Sequence, residues 1–176
     1  MTRKLLIWLP FALGLALLAA FYLGLRRPSD HVVASQMVGK PLPDFTAPPA
    51  MPGLPGLDAV GFRDGQPRLV NIFASWCVPC VEEIPVLLQL EAKGARIDGI
   101  AIHDSTRDLS EFLARNGNPY ARIGLDEAGR AQIAFGSAGV PETFVIDGRG
   151  TIVYQHIGAV TQQDLPKLLA MLGQSK

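Results

Sequence analysis

Leu69-Val-Asn-Ile-Phe-Ala-Ser-Trp-Cys77-Val-Pro-Cys80-Val-Glu-Glu-Ile-Pro85 changes its hydrophobic period half-way along. Leu69, Val70, Ile72 and Phe73 form a β-rich apolar run, which predicts a buried strand. Beyond it, Val81, Ile84, Leu87 and Leu88 recur at helical spacing. The cysteines stand at the switch, Cys77 at a helix N-terminus and Cys80 one turn further in. Unpaired backbone N–H groups and the helix dipole there favour a thiolate at Cys77. The offset also lets the two sulfurs close a small disulfide ring. The stretch reads as a redox dithiol, with a structural disulfide and a metal site as competing readings. Structural zinc takes four ligands, whereas the chain has two cysteines and three scattered histidines, His31, His103 and His156. Covalent haem attachment wants histidine directly after the second cysteine, where Val81 stands.

Outward from this stretch, composition divides the chain. It has 176 residues, 48% of them hydrophobic, and a formal net charge of zero. Residues 1–30 hold Arg3, Lys4, Arg26 and Arg27 against Asp30, which leaves the remainder with 12 basic and 15 acidic residues. That balance gives no nucleic-acid surface. Leu5–Leu25 runs 21 residues without a charge, the length that crosses ~30 Å of hydrocarbon. A cleaved signal peptide has a shorter apolar core and ends in a small-x-small site; near Ala19-Ala20 the −3 positions are leucines. The expectation is an uncleaved transmembrane helix, with Pro10 tolerated inside it. The flanking charges nearly balance, so the positive-inside rule sets orientation only weakly. Three parts follow: a membrane anchor over 1–27, a linker over 28–36 and a folded domain over 37–176.

Along that domain, the Pro/Gly-rich stretch 47–56 predicts a loop between short edge strands near Phe45 and over Leu57–Phe62. A central strand over 68–74 leads into a helix over 78–93, kinked at Pro85 and ended by Lys93-Gly94. A parallel strand over 96–103, a helix capped by Thr106 and ending at Asn116, a short strand over 120–123 and a helix near 128–135 follow. A hairpin pairs Phe144–Ile146 with Thr151–Ile157 across Asp147–Gly150, and a last helix runs over about 161–172.

Val38–Phe45, Val70–Cys77, Gly117-Asn-Pro-Tyr120 and Gly139-Val-Pro-Glu-Thr-Phe-Val-Ile-Asp147 resemble the membrane-anchored thiol:disulfide interchange proteins of cytochrome c maturation, the DsbE/CcmG type. The resemblance covers about residues 37–172. It implies an α/β, thioredoxin-like fold: a central mixed β-sheet flanked by helices, here with one N-terminal transmembrane helix. It makes Cys77 the attacking thiol, Cys80 the resolving one, Pro141 a cis-proline facing the dithiol and Glu83 the subfamily's acid. It also implies a single-pass protein of the inner membrane with its domain in the periplasm. Apocytochrome c or another maturation component is the implied partner, a membrane thiol-electron transporter the implied donor, and no cofactor is expected beyond the dithiol. Asn71 stands where thioredoxin has a buried aspartate, which moves proton handling elsewhere. Ile100-Ala-Ile-His-Asp104 departs from the family's aromatic-polar run and leaves partner contacts there open.

Residue by residue, Glu83 lies at i+3 from Cys80 and is placed to take its proton; the competing reading is a charge that complements the helix N-terminus. Val78-Pro79 offers the sulfurs no donor. A carboxylate nearby, Glu83 or Glu142, opposes the thiolate, so the pattern leans toward a reductant. Val140 is expected to offer its backbone to an extended substrate beside Pro141, with Glu142 next to it. Trp76 is either a partner contact or an apolar lid, and Asn71 a buried, hydrogen-bonded amide. A general periplasmic disulfide reductase or oxidase, and an apoprotein-docking module with secondary redox activity, remain alternatives.

Overall fold

Strand β3 (Arg68–Phe73) is buried along its whole length, because it is the central strand of the sheet. In this computed structural model, which describes residues 2–25 and 37–174, five strands lie in the order β5-β4-β3-β6-β7. β4 (Ile97–Ile102) runs parallel to β3, with Leu69 opposite Ile97 and Phe73 opposite Ala101. β6 (Glu142–Ile146) is antiparallel to β3 on its other side, with Ile72 opposite Glu142. β5 (Arg122–Asp126) extends the parallel side, and β7 (Ile152–Ile157) completes the hairpin with β6. A strand with neighbours on both edges and cover on both faces reads as a continuous apolar run, as Leu69, Val70, Ile72 and Phe73 do. The sheet is mixed and carries helices in the thioredoxin-like α/β arrangement.

A two-stranded appendage, β1 (Thr46–Ala47) and β2 (Leu57–Asp58), flanks the Pro/Gly loop and bridges to the sheet through Pro49 and Gly124. Gly124 permits this approach: a Cβ there would lie 2.4 Å from that of Ala47. The second appendage strand is shorter than the expected 57–62. Asp58 Oδ1 accepts the Gly61 N–H at 2.8 Å, which turns the chain into a 3-10 segment over Val60–Phe62.

Helix α2 (Val78–Ala92) follows β3, with Lys93 just past its end and Gly94 at φ +88°. Its core face is Cys80, Glu83, Ile84, Val86, Leu87 and Leu90; Glu82 and Pro85 are exposed. The next helix, α3 (Thr106–Asn116), is capped by Ser105 rather than Thr106, since Ser105 Oγ accepts the Asp108 N–H at 3.1 Å. β5 begins two residues later than expected. Asn118 Oδ1 accepts the Tyr120 N–H, extending the Gly117–Pro119 turn. Asp126 accepts the N–H groups of Arg130 and Gln132, so α4 is Arg130–Ala134. The last helix, α5 (Leu165–Gln174), starts late because Asp164 takes both the N–H and the hydroxyl of Thr161.

The chain divides into two compact units, Met1–Ala34 and Ser35–Lys176. Helix α1 (Thr2–Leu25) belongs to the first. Among the described residues no helix is long and apolar enough to cross a membrane, so the expected transmembrane helix is not shown by the fold. The expected linker, 28–36, lies outside the described residues.

Candidate active site

Three turns converge at the C-terminal end of β3, and each has a local cause. After Phe73 the chain turns through Ala74–Trp76, where the Cys77 N–H donates to the Ala74 carbonyl at 3.2 Å. Cys77 then serves as the N-cap of α2, its Sγ accepting the Cys80 N–H at 3.2 Å. Proline in a helix's first turn sacrifices no intrahelical bond, so Pro79 fits between the cysteines. The two sulfurs are bonded, with Cα atoms 5.3 Å apart. Cys77 is 5% exposed and Cys80 1%, so the first is the outer sulfur. Around them Trp76, Val78 and Val81 are exposed apolar side chains.

The second turn is His103–Ser105, at the end of β4. Asp104 accepts the Ser75 N–H at 2.6 Å with one oxygen, and the Ser75 hydroxyl and the Ser105 N–H with the other. The Trp76 indole N–H donates to the His103 carbonyl at 3.2 Å. His103 itself sits at φ +48°, a conformation uncommon outside glycine; its Nδ1 lies 2.9 Å from the Glu127 carbonyl oxygen. Neither residue was singled out for the site by sequence, since their role depends on the parallel pairing of β3 and β4.

The third turn precedes β6. Because Glu142 pairs with Ile72, the Val140-Pro141 bond lies across from the end of β3, at the same edge as the cysteines. That bond is cis. Glu142, expected beside the substrate, is 1% exposed, and its oxygens accept the Ala138 N–H and a Gln155 amide N–H. Its carboxylate props up the proline loop from inside.

Behind the cysteines lies a buried polar network. Glu83 has no exposed surface; its Oε1 accepts from the Asn71 amide and its Oε2 from the Val160 N–H, both at 2.9 Å. Burial pushes its pKa up to about 7, against the lowering effect of those two donors. A group near neutral pH exchanges protons readily in both directions. Asn71 also donates to Thr143 Oγ1 and accepts from the Tyr120 hydroxyl. Burial, with the Glu83 carboxylate beside it, holds the Tyr120 phenol well above its usual pKa. Tyr120 was visible only as part of the Gly-Asn-Pro-Tyr motif, and the Val160 N–H has no signature in sequence. Among the described residues no cluster of His, Cys, Asp or Glu is assembled to hold a metal ion.

Residues 37–172 match the redoxin family. The chain belongs to that family. It is 35% identical over 164 residues to the thiol:disulfide interchange protein HelX of Rhodobacter capsulatus, covering 93% of each chain. It is 36% identical over 169 residues to DsbE of Escherichia coli K12, covering 90% of this chain and 87% of the other. A thiol:disulfide interchange protein of the thioredoxin family from Chlorobium tepidum has a similar structure, with a TM-score of 0.61 and 26% identity over 75% of this chain and 94% of that one. Within the redoxins the chain is of the DsbE type, a protein-disulfide oxidoreductase.

Proposed function

We propose that the protein is an extracytoplasmic reductase, anchored by α1 in the inner membrane, that reduces the cysteine pair of apocytochrome c before haem attachment. The observation that carries the redox direction is the surroundings of the sulfurs. Val78 and Pro79 offer no side-chain donor to a thiolate, and Glu83, the buried acid on the same helix, is ready to take a proton. The cytochrome substrate is supported by the motifs that build the site: Gly117–Tyr120 supplies the phenol and Gly139–Asp147 supplies the proline loop. The anchor rests on the uncharged run Leu5–Leu25, which lies within α1.

In the reduced protein the Cys77 thiolate attacks one sulfur of the substrate disulfide. A mixed disulfide forms and the other substrate sulfur leaves as thiolate, to be protonated. Val140 presents its backbone to the substrate strand beside Pro141, and Trp76 lines the approach. Cys80 then gives its proton to Glu83 and attacks Cys77 Sγ. The second substrate thiol is released and the Cys77–Cys80 disulfide remains, two electrons having passed to the substrate. A membrane dithiol donor restores the reduced pair by the reverse exchange.

Cys80→Ser in the full chain, offered an oxidised Cys-x-x-Cys-His peptide, is expected to accumulate a mixed disulfide through Cys77. Cys77→Ser is expected to trap little, as shown by mass spectrometry of the adducts. Equal trapping by the two variants overturns the assignment of attacking and resolving thiols.

A further inference from the structure

Tyr120 is the one titratable group of the buried network that the exchange above leaves unused. It sits in the turn before β5, 4% exposed, its ring stacked on Phe73 with centroids 4.5 Å apart. Gly99 on β4 opens the slot: a Cβ there would stand 2.8 Å from the Phe73 ring and 3.1 Å from that of Tyr120. From this slot the hydroxyl reaches Asn71 Oδ1 at 2.7 Å. An amide oxygen only accepts, so the phenol must donate.

That single donation decides which way the Asn71 amide faces. With the carbonyl end on Tyr120, both amide hydrogens point elsewhere, one to Glu83 Oε1 at 2.9 Å and one to Thr143 Oγ1 at 3.0 Å. This arrangement suits Glu83 as a carboxylate, which is an acceptor on both oxygens. The flipped amide would turn its oxygen toward Glu83 and suit only the protonated acid. It would also aim an N–H at the phenol oxygen and leave the phenol hydrogen without an acceptor in a buried site, which is unfavourable. Glu83 is otherwise acted on by its own burial and by the Val160 N–H, and it lies one helical turn beyond Cys80. The supporting groups from the neighbouring strands, Asn71 and Thr143, are neutral.

We propose that Tyr120 is a positioning residue for the exchange: its hydroxyl locks the Asn71 amide in the orientation that offers an N–H to Glu83, and so keeps Glu83 able to accept the Cys80 proton. The inference rests on the reading of Glu83 as proton acceptor, but its test does not. Removing the hydroxyl frees the amide to turn, which favours protonated Glu83.

The experiment is a carboxyl ¹³C titration of the reduced full chain in detergent micelles, with glutamate labelled and the Glu83 resonance identified by its absence in Glu83→Gln. Tyr120→Phe keeps the ring stack and is expected to raise the Glu83 midpoint by about one pH unit, the worth of one hydrogen bond. Asn71→Ala is expected to raise it as well, and Tyr120→Phe added to Asn71→Ala to move it no further. An unmoved midpoint in Tyr120→Phe, or additive shifts in the double variant, overturns the proposal and leaves Tyr120 a packing residue. Whether Glu83 assists resolution is read separately, from the lifetime of the mixed disulfide in Glu83→Gln. The two ideas therefore fail independently.

Discussion

Glu83 concentrates the energetics of the site in one side chain. A carboxyl raised from the ordinary 4.5 to about 7 by burial binds its proton more tightly folded than unfolded. The associated stability is fully present below pH 4.5 and is lost as pH rises through about 7. The shift corresponds to roughly 3 kcal/mol at most. Urea unfolding of the oxidised protein between pH 4 and 8 should show this fall, and Glu83→Gln should flatten it. Gln also sets an N–H against one of the two donors that Glu83 accepts, lowering stability by about 1–3 kcal/mol at every pH. The diagnostic is therefore the slope. An identical pH dependence in the two proteins would mean that Glu83 is not the titrating group. The i+3 spacing from Cys80 made this residue conspicuous in the sequence, but not which groups hold its oxygens. Asn71, Val160 and Glu83 come from three separated segments, and only the packing of α2 on β3 and on the loop before α5 joins them.

Among the elements, the turn after β4 has the clearest consequence. Asp104 fastens Ser75 by its N–H and its hydroxyl, and the next link, Trp76 to the His103 carbonyl, fixes the exposed indole beside the dithiol. Charge-assisted bonds of this kind are worth about 1.5–3 kcal/mol each where they are shielded, and less where, as here, they are part-exposed. Asp104→Ala is expected to cost about 2 kcal/mol in urea unfolding. It should also shift Trp76 fluorescence toward that of a solvated indole, measured in a Trp8→Phe background because the chain has two tryptophans. Unchanged stability and emission would show that the turn holds its shape without this carboxylate. Element types were readable from hydrophobic period through most of the domain, the 3-10 segment at Val60–Phe62 excepted. Ends were not: Asp58, Asn118 and Asp164 each ended or delayed an element, and Ser105 started one a residue early, through a side-chain hydrogen bond to the backbone. Such a bond competes locally with the ladder or the helix, and the hydrophobic pattern does not register it.

For the molecule as a whole, the proposed compartment is the decisive variable, since a dithiol reductant has work to do only where substrate thiols become oxidised. A reporter that functions only after export, fused behind Lys176 in a bacterial host, is expected to be active. A cytoplasmic reporter at the same point is expected to be silent. The opposite pattern would remove the proposed substrate, while leaving the oxidoreductase chemistry of the domain intact.

The sequence by itself determined the thioredoxin-like sheet, the dithiol at the head of α2, the proline loop and the acid three residues beyond Cys80. The dithiol and the acid are written in local spacing, an apolar run that switches period and a pair of cysteines one turn apart, whereas the sheet and the proline loop were legible through the motifs that resemble the family. Only the tertiary structure decided that Glu142 turns inward to hold the loop, that Asp104 fastens the approach to Cys77 and that Tyr120 reaches Asn71. Those contacts cross between strands far apart in the chain, through single polar atoms. A polar residue's partner is set by what folding leaves within hydrogen-bond reach once water is excluded, and no local pattern encodes that.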